Sequence, residues 1–151
     1  MADLEHLRNV TILIVDDDEF FRDGVKRLLH SMRGITFSRV EEAADGASGL
    51  RLFEEHPAQV VLLDYQMPGG SGTFWLEKFR ARDEHTALIM VTGRGDESIA
   101  VEAMQQGASD YLVKGSFTAD RLTQAITSAL DRRRMRQQLD QQASDLIEAE
   151  R

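Results

Sequence analysis

Five side chains capable of chemistry stand just beyond short apolar runs. Val10-Thr11-Ile12-Leu13-Ile14-Val15 leads into Asp16-Asp17-Asp18-Glu19, and Val60-Val61-Leu62-Leu63 ends on Asp64. The run from Thr86 to Val91 ends at Thr92, and the one from Ser109 to Val113 is followed by Lys114. Runs apolar on both faces are typical of strands in a parallel sheet covered by helices, where ligands bind beyond the carboxyl ends of the strands. If the strand ends open on one edge, Asp16, Asp17, Asp64, Thr92 and Lys114 converge there. Three carboxylates that close raise one another's pKa unless a cation compensates. An all-oxygen set suits Mg²⁺, which binds through a few carboxylates, waters and substrate phosphate. The Lys and Thr can then hold a transferring phosphoryl group by its oxygens while a carboxylate attacks in line. Asp64 is the first of these to test, because a lone charge closes a buried strand and the turn signal Met67-Pro68-Gly69-Gly70 follows at once.

Taken singly, each residue has a plainer reading. Asp18 and Glu19 read as the start of a helix, where a side-chain acceptor satisfies free amides. Lys114 alone reads as one half of an ion pair, and Tyr111 as a half-exposed strand residue. Only the repetition of polar groups at strand ends favours a shared site.

The elements that must position these groups alternate along the chain. After the first strand, Phe21, Val25, Leu28, Leu29 and Met32 recur at helical spacing, with Gly34 as the stop. A weaker strand spans Ile35 to Val40, and a helix carrying Leu50, Leu52 and Phe53 follows, closed by Pro57. Beyond Asp64, Gly72 and Thr73 open a helix whose inward face holds Trp75, Leu76 and Phe79, with Phe74 off that stripe and exposed. Ile99, Ala100, Ala103 and Met104 define the fourth helix, and Gly107 ends it. A long helical pattern begins near Thr118, with Leu122, Ile126, Ala129 and Leu130 as its core stripe. Five strand–helix alternations with short connections predict an α/β fold, a doubly wound five-stranded parallel sheet with helices on both faces.

Composition narrows the classes. With 151 residues and 42% apolar content, the chain can bury one ordinary core. A formal charge of -8 disfavours a nucleic-acid surface and suits a protein that holds cations. There is no Cys, hence no disulfide framework or thiolate chemistry, which fits a reducing cytoplasm. No apolar run approaches the roughly 20 residues of a membrane span, and the first nine residues do not read as a signal peptide.

Past Leu130 the character changes. Asp131-Arg132-Arg133-Arg134-Met135-Arg136 is strongly charged, and Leu139 and Leu146 lie one heptad apart with Met135, Gln142 and Ala149 at the complementary positions. The reading divides the chain into a domain at 1–130 and a helical extension at 131–151, either a solvated helix end or a dimerising, domain-linking coiled coil. A helical pattern running to Glu150 without a cap reads as part of something longer.

At this point the motifs resemble a known family. Ile14-Val15-Asp16-Asp17, Leu62-Leu63-Asp64 with Met67-Pro68 and Gly72, Met90-Val91-Thr92-Gly93, and Asp110-Tyr111-Leu112-Val113-Lys114 look like the motifs of response-regulator receiver domains of two-component signalling, over roughly Asn9 to Leu130. The resemblance implies a flavodoxin-like sheet of order 2-1-3-4-5, Asp64 as phosphoacceptor, and Mg²⁺ or Mn²⁺ held by Asp16, Asp17, Asp64 and the Gln66 backbone carbonyl. It implies Lys114 on the phosphoryl group, Thr92 reorienting toward it, and Tyr111 as the aromatic that reports the change. The implied partners are a sensor histidine kinase or a histidine phosphotransfer protein, a homodimer through the face of the fourth helix, fifth strand and fifth helix or through the C-terminal helix, and a covalent output domain. The implied chemistry is self-phosphorylation from phosphohistidine with autodephosphorylation, not metabolic turnover. The family usually places Pro after this Lys, commonly through a cis bond. Gly115 stands here, where a cis bond costs roughly 2.5 to 4 kcal/mol, which favours trans. Gln66 and Arg94 hold the positions that tune access of attacking water.

Two other classes compete. Asp16-x-Asp18 resembles the nucleophile and acid/base pair of haloacid-dehalogenase-like phosphatases, although Phe20 replaces a small residue and no cap insertion is present. A receiver-like scaffold that takes no phosphate is the other. Gly93-Arg94-Gly95 lacks the third glycine of a dinucleotide fingerprint, because Ser98 stands there. His6, His30, His56 and His85 show no metal spacing and read as surface residues. The Arg cluster at 132–136 reads as a solvated face, and no DNA-binding module is evident.

Overall fold

The apolar runs form the strands, and their alternation divides the core between two faces. The computed structural model describes residues 4–93, 97–116 and 118–150. Strands β1 (Val10–Val15), β2 (Phe37–Ala43) and β3 (Val60–Asp64) precede a two-residue hairpin of β4 (Gln66–Met67) and β5 (Gly70–Ser71), followed by β6 (Ala87–Thr92) and β7 (Asp110–Val113). The five long strands pair in parallel in the order β2-β1-β3-β6-β7, which with the hairpin set aside is the expected 2-1-3-4-5. Helices α1 (Glu19–Ser31), α2 (Gly46–Glu55), α3 (Gly72–Arg82), α4 (Glu97–Gln105) and α5 (Ala119–Ala149) complete the α/β alternation.

Successive side chains of a strand point to opposite faces. Ile12, Ile14, Val60, Leu62, Ile89 and Val91 therefore pack with Val25 and Leu29 of α1 and Leu122, Ile126 and Leu130 of α5. Leu13, Val15, Val61, Leu63, Leu88 and Met90 pack with Phe53 of α2, Leu76 and Phe79 of α3 and Ala103 of α4. Trp75 is half-buried against this second cluster, and Phe74 is exposed, as the stripe predicts. Gly46 is demanded by that packing, since a Cβ there would sit 2.2 Å from the Trp75 ring.

The second strand departs from expectation. Its pairing begins at Phe37 and continues through Glu41, Glu42 and Ala43, so residues read as a loop are strand. β2 is an edge strand, and its acids are tolerated because Arg39 pairs with Glu41 while Arg22 and Lys26 pair with Glu42.

α5 is one continuous helix with two environments. Leu122, Ala125, Ile126, Ala129 and Leu130 are buried, whereas Met135, Leu139, Leu146 and Ile147 are exposed. Thr118 caps its start by accepting from the Arg121 amide. Among the described residues no helix is long and apolar enough to cross a membrane.

Candidate functional site

The strand tips of β1 and β3 lie side by side, and the acids sit on them. Asp16 follows β1 directly, its amide donating to the Ala43 carbonyl at 3.0 Å, and its side chain is 1% exposed. Asp16 Oδ1 accepts from the Asp18 amide at 2.8 Å, which turns the chain into α1. Asp17 projects outward and is exposed. Asp18 caps α1, accepting from the amides of Phe20 and Phe21. The Asp16-x-Asp18 phosphatase reading is not supported by this geometry, because Asp18 is spent on the helix and the carboxylate joining Asp16 and Asp17 is that of Asp64.

Asp64 ends β3 and is 3% exposed. Oxygens of Asp16, Asp17 and Asp64 all lie within 4.8 Å of one another. Burial and the neighbouring Asp16 carboxylate push Asp64 up to about 6, against the pull of Lys114 and of the Gln66 amide. That amide donates to Asp64 Oδ1 at 3.2 Å, which fixes the β4 segment beside the acids. Gly72 lets α3 start against the same exit, since a Cβ there would meet Tyr65 Cα at 2.6 Å and the Asp64 carbonyl oxygen at 3.0 Å.

Lys114 enters from the end of β7. Its Nζ lies 2.8 Å from Asp16 Oδ2 and 3.4 Å from Asp64 Oδ2, and 4.7 Å from the centre of the Phe21 ring. Burial lowers its pKa, but Asp16 and Asp64 more than offset this and leave it raised. No peptide bond among the described residues is cis, so Lys114–Gly115 is trans and the ammonium still reaches the acids.

Thr92 closes β6 and is buried, but its hydroxyl donates to the Leu112 carbonyl at a long 3.4 Å, on the neighbouring strand. Tyr111, paired with Met90 across the sheet, is half-buried. It borders a cleft of about 510 Å³ beside Ala100, Val101 and Met104 of α4. Arg94 lies outside the described residues.

The three carboxylates, one ammonium and the neighbouring main chain make a hard-oxygen donor set with excess negative charge. Asp16 Oδ2 is buried and, its approach to Lys114 aside, takes part in no hydrogen bond. This donor set fits Mg²⁺ or Mn²⁺.

Sequence reading missed Arg22 and Glu42. Arg22, one helical turn into α1, donates from Nη1 to the Asp16 carbonyl at 2.6 Å and from Nε to Glu42 at 3.0 Å, bracing the acid loop against β2. Lys26 also binds Glu42, at 2.8 Å, and both cations hold its carboxyl below the usual range. An Arg in a helix beside an acidic strand gave no distinct signal. His30 and His56 are exposed as read, but His6 and His85 are largely buried, each against an aspartate of α5: Asp131 and Asp140. Glu84, His85 and Asp140 form a second cluster of ligating groups that spacing could not reveal.

Comparison with known proteins follows the same lines. The family model of the response regulator receiver domain matches residues 12–127. The chain is 36% identical over 120 residues to the chemotaxis protein CheY of Bacillus subtilis, covering 80% of this chain and 97% of that protein. It is 36% identical over 122 residues to the probable transcriptional regulatory protein NarL of Mycobacterium tuberculosis, covering 81% of this chain but only 54% of NarL. A solved CheY-like receiver domain from Methanospirillum hungatei superposes with a TM-score of 0.74 at 31% identity, over 84% of this chain and 98% of that one.

Proposed function

The chain belongs to the response-regulator receiver domain family of two-component signalling, and from that premise we propose that Asp64 is its phosphoacceptor. The observation that carries this reading is the convergence of Asp16, Asp17 and Asp64 with Lys114, which sets the Asp64 carboxylate beside two further acids and an ammonium. Asp16, Asp17, Asp64 and the Gln66 carbonyl would hold Mg²⁺ or Mn²⁺. Bound there, a divalent ion would supply charge to neutralise what develops on the phosphoryl oxygens.

The chain's own residues do the rest. An Asp64 carboxylate oxygen forms the bond to phosphorus as the phosphorus–nitrogen bond of a phosphohistidine breaks, and the imidazole nitrogen keeps the electron pair. Lys114 exchanges part of its pairing with Asp16 and Asp64 for a phosphoryl oxygen. The added charge and acceptor oxygens favour a state in which Thr92 turns toward them. Thr92 gives up only its long bond to Leu112, so the opposing cost is small. The space behind Thr92 takes the Tyr111 ring, which alters the surface shared by α4, β7 and α5. Water returns the site to its first state by hydrolysis.

The donor is a sensor histidine kinase or a histidine phosphotransfer protein. The output passes through the α4–β7–α5 face or the exposed end of α5 to a second copy, a partner or a following domain. The receiver unit is 1–130, and the helical extension that runs on through Ala149 transmits its state. The test is incubation with acetyl phosphate and Mg²⁺, then mass mapping of the modified residue. Modification at Asp64, absent in Asp64→Asn, supports the reading, and modification elsewhere or none under saturating Mg²⁺ overturns it.

A further inference from the structure

At the opposite ends of the strands, a pocket of about 360 Å³ lies between α5, the end of α3 and the loops that precede β6 and β7. Four arginines line it: Arg80 from α3, and Arg132, Arg133 and Arg136 from one face of α5. Three of these are the arginines that read as a solvated face in the sequence.

Arg80 is anchored by main chain. Its Nη1 donates to the carbonyls of Asp83, Glu84 and Thr86, and its Nη2 to that of Gly107. Arg132 donates to the Ser109 carbonyl at 2.6 Å. Arg133 donates to Gln137 at 3.3 Å, while its Nε is buried without a partner. Among the described residues, no carboxylate forms an ion pair with Arg80, Arg132, Arg133 or Arg136. Asp83 attracts both Arg80 and Arg133 without pairing with either, and the hydrogen bonds of the nearby acids go elsewhere. Asp83 accepts from the amides of His85 and Thr86, while Glu84 and Asp140 both face His85 Nε2. Burial lowers the pKa of both Arg80 and Arg133.

A cation at the Glu84–His85–Asp140 rim would face these four positive charges, whereas an anion would satisfy them. Guanidinium forks match phosphate oxygens in charge and geometry, and Ala108 and Ala129 give the pocket an apolar wall. The volume lies within the range of small-ligand sites.

We propose that this pocket binds the phosphate groups of a small phosphorylated molecule, with Arg133 and Arg136 as its main donors. Occupation would fasten the root of the α5 extension to the loops before β6 and β7. The site does not depend on phosphorylation at Asp64. The test is calorimetric titration of the full chain with pyrophosphate and, separately, with ATP, in EDTA so that the acids at the other edge hold no divalent ion. Saturable one-to-one binding is expected, weakened at least tenfold in Arg133→Gln/Arg136→Gln and about threefold in the exposed Arg136→Gln alone. Arg27→Gln on α1 and Asp64→Asn should leave it unchanged. Tighter binding of ATP than of pyrophosphate assigns a nucleotide, and equal binding assigns phosphate alone; either supports the site. Absence of saturable binding at millimolar ligand, equal binding by the double variant, or an equal loss in Arg27→Gln would overturn it.

Discussion

The two ends of the sheet store opposite charge, and they are built in opposite ways. At the carboxyl ends, Asp16 and Asp64 are buried on strand tips, with one ammonium among three carboxylates. At the amino ends, four arginines crowd a pocket with no carboxylate paired to them, held in place by main-chain carbonyls. Burial of a charge is costly unless it is compensated. Each edge therefore holds a tension that a ligand of the opposite sign would relieve: on the readings proposed above, a divalent cation at the acid edge and a phosphate at the arginine edge. The difference lies in what supplies the parts. Strand ends supply the acids, and helix faces and loops supply the arginines.

The sharpest way to break this contrast is at the acid edge. Asp64→Asn is expected to lower phosphate uptake from acetyl phosphate by roughly a hundredfold or more, to background, because it removes the proposed acceptor oxygen while leaving Asp16, the acid closer to Lys114, in place. Intact-mass spectra before and after incubation read this directly. Asp17→Ala should weaken Mg²⁺ binding roughly tenfold or more while leaving the fold intact, since Asp17 is exposed. Calorimetric titration with Mg²⁺ would check it, and an unchanged affinity would remove Asp17 from the ligand set.

The same difference in construction decides what could be read from the sequence. An acid that interrupts an apolar run is visible in one dimension, so Asp16, Asp64 and Lys114 could be found without coordinates. The layered parallel α/β architecture followed from the alternation of elements, the order of the sheet from the family resemblance, and the two-sided core from runs apolar on both faces such as Ile12 to Val15. The Thr92 hydroxyl could not be aimed, because its direction depends on the Leu112 carbonyl of a neighbouring strand. Glu41 and Glu42 hid the end of β2, since their neutralising partners Arg22 and Lys26 lie on α1. The arginine pocket left no trace at all. Arg80 reads as a helix-terminal charge and Arg132 to Arg136 as a wet helix face, and only the passage of α5 past the sheet edge at which α3 ends joins them.

The amino end can be broken mechanically. Arg80→Ala removes a side chain that satisfies four carbonyls, three of them in the turn before β6 and one before β7. Leaving a buried acceptor without a donor costs about 1–3 kcal/mol, and of the accepting residues Thr86 is buried while the others are half-buried or exposed, so urea denaturation should show a loss of about 2 kcal/mol. A loss under about 1 kcal/mol would mean that water replaces the guanidinium and that the edge is less dry than its geometry implies.

The smallest expected effect separates the edges by their response to pH. Asp64 titrates near 6 in the folded protein against 3.8 in the open chain. Its folded form therefore holds a proton over a window in which the unfolded form has lost it. Where the folded state binds more protons, stability rises as pH falls. Without divalent ions, Asp64 should thus make the protein roughly 1 kcal/mol more stable at pH 5 than at pH 7. Glu42, Asp45 and Asp83 act in the opposite sense, because their folded pKa values are depressed, but their windows open only as pH falls below the ordinary carboxylate range. The clean measurement is the difference between wild type and Asp64→Asn in urea at each pH: the variant should be the more stable at pH 7, and the gap should narrow on acidification. Saturating Mg²⁺ should abolish it at pH 7, since a bound cation holds Asp64 ionised in the folded state. A gap that ignores pH would mean that Lys114 already balances Asp64 in full, leaving the arginine edge as the only one that stores uncompensated charge.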